Sequence, residues 1–223
     1  SILLSQMLMP TLLIVVPFLL TLRGGEMGGR DEFLPLSCSM VGIILFMQTS
    51  ILSLSSMGLE GQAFWQYLTS PNSGKRLLWA KFVMSTLVSG GISGLLTLYT
   101  ALFSRMEWFY IVCLPLLVLV CASGLCGLGV GISAVFPRFV YENPAHRVST
   151  WALILGFFGS VGYLFVTMVI FVGAWLLTTV WEPRFVLTIW LVAGILHLAL
   201  TLYIIFTALT IGAKRIERYS WET

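Results

Sequence analysis

Apolar positions along this chain come in long unbroken runs. Six can be marked, over residues 2–22, 36–57, 82–103, 109–136, 148–180 and 185–213. Each is long enough to cross a hydrocarbon core of about 30 Å, which takes about 20 helical residues. Period-two alternation is absent, which disfavours a transmembrane barrel. The pattern predicts an all-α, polytopic helical membrane protein, a single transmembrane domain over residues 1–223 with these six spans. The fifth run is longer than one crossing needs and carries Gly156, Gly159, Gly162 and Gly173. A tilted, a broken and a partly re-entrant helix all remain open there. Pro10 and Pro17, on roughly one face, bend the first run.

The segment 58–82, between the second and third runs, has a different character. It starts with an acid, Glu60, carries an aromatic cluster and a helix-stopping Pro71, and leaves through Lys75, Arg76 and Lys81. This suits a short helix on the membrane surface over residues 60–69. Glu60 complements the positive end of its dipole, and Phe64, Tyr67 and Leu68 share an apolar face, leaving Trp65 and Gln66 to a partner. The alternative is a plain interfacial anchor, with the three bases on anionic lipid.

Composition agrees with the hydropathy. Hydrophobic residues make up 58% of the chain and charged residues 9%, against about 25% charged in soluble domains. A formal net charge of +3, dispersed along the chain, argues against nucleic acid as a partner. The lipid bilayer is the expected surrounding. Ser1 opens directly on an apolar run without a basic flank or clear cleavage site, which argues against a signal peptide. A processed chain, or a piece of a longer one, is the expectation.

Charge placement sets the orientation. The segments after the second, fourth and sixth runs hold Lys75, Arg76, Lys81, Arg138, Arg147, Lys214, Arg215 and Arg218, whereas the opposite side holds Arg23, Arg30, Arg105 and Arg184. The richer side is expected to be cytoplasmic, with both termini there. Trp108, Tyr110, Trp175 and Trp181 then mark the outer interface, and Trp65, Trp79 and Trp221 the inner one.

All acids and bases fall in loops or at the ends of the runs, which disfavours an ion-coupled carrier. Gln48 and His197 are the polar exceptions; each either lines a path or hydrogen-bonds a neighbouring helix. Cys38, Cys113, Cys121 and Cys126 lack zinc or iron–sulfur spacing and read as packing residues, so neither a metal nor a cofactor is expected in this chain. Gly90 with Gly94, and Gly124, Gly127 and Gly131, recur at helical spacing and predict close helix contacts. Residues 72–76, Asn-Ser-Gly-Lys-Arg, lack the first glycine and the following hydroxyl of a phosphate-binding loop. No Ser/His/Asp or Cys/His set can be assembled, and the chain is expected not to be an enzyme.

Two segments carry a resemblance. Glu60-Gly61, Trp65, Leu68, Pro71, Leu77-Leu78 and Lys81 resemble the first cytoplasmic loop of bacterial ATP-binding cassette (ABC) exporter permeases of the type-two class. Gly127-Leu128-Gly129-Val130-Gly131, then Phe136-Pro137-Arg138-Phe139 and Glu142-Asn143-Pro144-Ala145, resemble a second stretch of the same permeases, where a glycine-rich helix leaves into a short acidic loop. The likeness extends over residues 57–149.

The resemblance implies a multi-pass permease subunit of the bacterial inner membrane, docked on a cytoplasmic P-loop ATPase that holds ATP and magnesium, and paired with a second permease half or copy. It implies partner coupling through Glu60, Gly61, Trp65, Gln66, Leu68, Pro71 and Lys81, with Glu142 and Arg147 as a lesser contact. The uncharged interior points to an apolar, amphiphilic or peptide-like substrate. The alternative from another class is a non-transporting structural subunit of a larger membrane assembly.

Overall fold

The computed structural model describes residues 42–43, 45–47, 49–60, 74–103, 107–138, 148–180 and 185–219. The first run, about a third of the second and about half of the 58–82 segment lie outside them. The described residues are helical or lie in turns and short links, with no strand among them. An apolar helix α1 runs over Leu45–Leu54. Four long helices follow: α2 (Gly74–Phe103), α3 (Trp108–Val135), α4 (Thr150–Val180) and α5 (Val186–Tyr219). Each of the four is long and apolar enough to cross a membrane.

The third to sixth runs therefore become helices, with two boundary corrections. Helix α2 begins at Gly74, so Lys75, Arg76 and Lys81, expected in a loop, occupy its first turns. Leu78 explains this: it is fully buried and anchors those turns to the core, while Lys75 and Arg76 are exposed and Lys81 is mostly buried. Helix α5 likewise runs to Tyr219, past the expected 213. Its last turns are amphipathic, burying Ile216 and exposing Lys214, Arg215 and Arg218. The fifth run, left open between three forms, is one continuous helix, α4.

Local chemistry sets several ends. Ser149 caps α4, its Oγ accepting from Ala152 N at 3.1 Å and its carbonyl from Leu153 N at 3.0 Å. Phe136 N closes α3 onto Ile132 O at 3.1 Å, and Pro137 stops it. Pro115 lies inside α3 without ending it.

Helix α3 is the hub. It runs antiparallel to α2, with Ser89 meeting Cys126, and antiparallel to α4, with Tyr163 at Gly124. It runs parallel to α5, which Gly127 meets at Ile205 and Gly131 at Ala208, and α1 crosses it where Ser53 meets Gly129. Its residues from Cys121 to Ala134 are nearly all buried. Only small side chains allow burial on every side of one helix. A Cβ on Gly131 would lie 2.6 Å from Ala208 Cβ and 2.7 Å from its carbonyl carbon, backbone that cannot step aside. The expected close contacts hold for Gly90, Gly124, Gly127 and Gly131, whereas Gly94 faces open space.

The alternating course brings the starts of α2 and α4 and the ends of α1, α3 and α5 to one end of the bundle. Every Lys and Arg among the described residues lies at this end (Lys75, Arg76, Lys81, Arg138, Lys214, Arg215, Arg218). Trp108, Tyr110 and Trp175 lie exposed toward the opposite end, as an interfacial aromatic belt would.

The packing yields a contrast. Gly131→Ala should destabilise the bundle by about 1–3 kcal/mol through forced overpacking, whereas Gly94→Ala should be neutral or slightly stabilising. Thermal midpoints of the two variants in the same detergent check this, and equal midpoints would contradict the hub packing.

Candidate functional site

Two polar constellations stand out in this apolar bundle. The first lies at the basic end, where the chain leaves α1 and enters α2. After Leu54 the backbone turns, with Leu59 N on Ser55 O at 3.0 Å and Glu60 N on Met57 O at 3.2 Å. Lys81, two turns into α2, reaches back to this turn. Its Nζ donates to Ser56 O at 2.7 Å and pairs with Glu60 Oε1 at 2.5 Å. Side-chain exposure is 14% for Lys81 and 22% for Glu60, so solvent screens the pair only in part. The ammonium also sits against a free carbonyl at the end of α1, where a positive charge complements the helix dipole. Next to it, Ser133 Oγ donates to Val130 O at 3.0 Å, so Ser56 Oγ supplies the proton of their mutual 3.0 Å contact and ties this turn to α3.

The pair joins the two ends of the segment 61–73. Of the expected coupling residues, the structure brings Glu60 and Lys81 into direct contact. Gly61, Trp65, Gln66, Leu68 and Pro71 lie outside the described residues, as do Glu142, Arg147 and Gln48. The surface helix expected over 60–69 therefore lies outside them too, apart from Glu60 in its turn.

The second constellation lies deep in the bundle, where α3, α4 and α5 meet. His197 is buried, with Nε2 3.5 Å from Cys121 Sγ and Nδ1 3.5 Å from Thr167 Oγ1. Thr201 donates to His197 O at 2.8 Å, so Tyr163 is the donor in its 2.9 Å bond to Thr201 Oγ1. Thr167 donates to Tyr163 O at 2.9 Å, which leaves His197 Nδ1–H to face Thr167 and Nε2 to face the Cys121 thiol. Phe171 and Tyr163 flank the imidazole at ring distances of 5.5 and 6.0 Å. Of the two roles open to His197, the observed contacts are those of a residue bonded to neighbouring helices. The arrangement carries no fixed charge.

Sequence reasoning passed over the hydroxyls. Ser85, Ser89, Ser93, Thr97 and Thr100 form a buried stripe along α2. Most donate back to their own helix, Ser85 to Lys81 O at 2.7 Å and Thr97 to Ser93 O at 2.7 Å. Ser89 donates to Ser85 O at 2.5 Å and so accepts from Cys126 at 3.1 Å. The signal was present as Ser or Thr at every fourth position from Ser85 to Thr97, with Thr100 three residues further on. Thr201 follows His197, and Thr167 follows Tyr163, at the same spacing.

The chain matches the family model ABC_tran_2, described as "Putative ATP-binding cassette", over residues 33–220, most of its length. No curated protein and no solved structure matches it.

Removing one member of the Lys81–Glu60 pair strands the other in a half-buried turn. Lys81→Met and Glu60→Gln should each cost about 1–3 kcal/mol. The double variant should cost clearly less than their sum, as a double-mutant cycle on thermal midpoints would record; strict additivity would mean the pair is idle. Tyr163→Phe should cost about 1 kcal/mol for its lost bond to Thr201, read in the same assay.

Proposed function

The chain belongs to this ATP-binding cassette family, and we propose that it is the transmembrane permease subunit of an ATP-driven exporter. The observation that carries the reading is where the family match falls. Residues 33–220 take in the whole described bundle of apolar helices. A nucleotide-binding domain instead needs a phosphate loop set between a strand and a helix. ATP is accordingly bound and hydrolysed on a separate cytoplasmic subunit, and the role of this chain is to turn that subunit's motion into movement of substrate.

The basic end faces the cytoplasm, by the preference of lysine and arginine for that side. The segment 61–73 is then the contact for the ATPase, and the helices on either side of it are tied by Glu60 and Lys81. ATP-driven closure of the partner pushes on this segment, and α2 carries the displacement into the membrane. A second permease half or copy completes the path, and substrate leaves between the halves.

The tagged chain, purified from its native membranes in mild detergent, should bring down a stoichiometric P-loop ATPase with vanadate-sensitive turnover. Reproducible partners without an ATPase would replace this reading with a structural subunit. Within such a complex, Glu60→Ala combined with Trp65→Ala should cut chain-dependent ATP turnover and transport by tenfold or so, a loss of about 1.4 kcal/mol of coupling. Undiminished turnover and transport would remove the segment from the mechanism.

A further inference from the structure

The seam between α2 and α3 contains a repeat that the coupling scheme does not use. From residue 89, α2 reads Ser-Gly-Gly-Ile-Ser-Gly, so that Ser89-Gly90 recurs one turn later as Ser93-Gly94. The first copy is the seat on which α3 rests. Ser89 Oγ accepts from Cys126 Sγ at 3.1 Å, and a Cβ on Gly90 would meet Leu119 Cδ1 at 2.8 Å and Ala122 Cβ at 3.4 Å. The second copy repeats both residue types at the same spacing, and neither is used. Ser93 is fully buried, yet its Oγ has no hydrogen-bond partner among the described residues. Nothing among them lies within 4 Å of where a Cβ on Gly94 would be. A hydroxyl buried in hydrocarbon without a partner is costly, and a second register in which it finds one accounts for it.

Sliding α2 by one turn, about 6 Å for four residues, toward the basic end brings Ser93 to Cys126 and Gly94 under Leu119 and Ala122. Ser89 then takes the place of Ser85, and Thr97 that of Ser93, hydroxyl for hydroxyl, because Ser or Thr stands at 85, 89, 93 and 97. Leu98 enters the open space beside Gly94. The opposite slide is blocked. It sets the β-branched Thr86 where only a glycine lets Leu119 approach so closely. Nearer the basic end the exchange is unequal, with Lys81 giving way to Ser85 and Phe82 to Thr86. The first change loses the bonds to Ser56 O and Glu60, and the second removes a ring from the buried core. The observed register is therefore the resting one, and Lys81 holds it.

We propose that α2 has two seats for α3, one turn apart, and slides between them, with the Lys81–Glu60 pair as the catch on the resting seat. The shifted state is a minor one until the catch opens. The inference holds whether or not an ATPase docks on the chain.

The test uses the full chain in its native membranes, with Cys38→Ala, Cys113→Ala and Cys121→Ser leaving Cys126 as the one native thiol. Ser89→Cys, Ser93→Cys or Thr97→Cys then adds a second, and disulfides formed with molecular iodine are counted by mass spectrometry. A disulfide needs Cβ atoms about 3.5–4.5 Å apart, so each position reports one register. Position 89 should cross-link to Cys126 in most chains, position 93 in fewer and position 97 in none. Lys81→Met should raise the yield from position 93 by about fivefold or more as the catch is lost. Gly94→Leu should abolish that cross-link by filling the second seat, while the yield from position 89 and the thermal midpoint stay unchanged and show that the variant is folded. Cross-linking from position 89 alone, even with Lys81→Met, would overturn the proposal in favour of a single register. A comparable yield from position 97 would overturn it in favour of unspecific motion. A cross-link from position 93 that survives Gly94→Leu would overturn it in favour of side-chain reach without a slide.

Discussion

The bundle depends on how closely other helices approach α3. Between apolar helices in lipid, burial of hydrocarbon supplies little net attraction, and association rests on dispersion and on interhelical hydrogen bonds. Both fall off steeply with distance. Gly124, Gly127, Gly129 and Gly131 present α4, α5 and α1 with bare backbone, so one helix can be surrounded without being held off by its own side chains. Cys126, Val130 and Ala134 continue that surface into the core that also contains Met57, Leu78, Leu209 and Ile216.

The hydroxyls follow from the same constraint. A buried Ser or Thr in hydrocarbon needs an acceptor for its proton, and for Ser85, Ser89, Thr97 and Thr100 the carbonyl one turn earlier supplies it. That leaves a lone pair facing outward. Ser89 uses its lone pair to accept from Cys126, and Thr201 uses its own to accept from Tyr163. Short side chains satisfied within their own helix thus serve as hydrogen-bond acceptors for the next one, which a long polar side chain would do only by pushing the helices apart. His197 sits between Cys121 and Thr167, with Phe171 and Tyr163 against its ring, and so spans the gap between α3 and α4.

The class of fold and the bodies of four helices were legible because hydropathy over 20 residues is a long-range, redundant signal. The close contacts at Gly124, Gly127 and Gly131 were legible because their spacing places them along a helix. The ends were harder. Lysine and arginine read as the close of a span, yet α2 and α5 carry theirs on one side while Leu78 and Ile216 continue the buried stripe on the other. A criterion counting charges misses a helix that remains amphipathic beyond the hydrocarbon. In the candidate site, Glu60 and Lys81 were chosen as separate members of a loop pattern. Their mutual contact depends on a turn after α1 and a helix start at Gly74, both set by tertiary packing. The stripe from Ser85 to Thr100 was missed because the search for interior polarity looked for charge and for long side chains.

The pairing of Lys81 with Glu60 and Ser56 has a mechanical consequence. A connection whose two ends are free to separate acts as a hinge, and force on it is absorbed as bending. Here the end of α1 is fastened to the second turn of α2. The turn after α1 is thereby tied to α2, and through the Ser56–Ser133 contact to α3. Three helices are therefore clamped at this end, and a displacement of one there is shared by the other two.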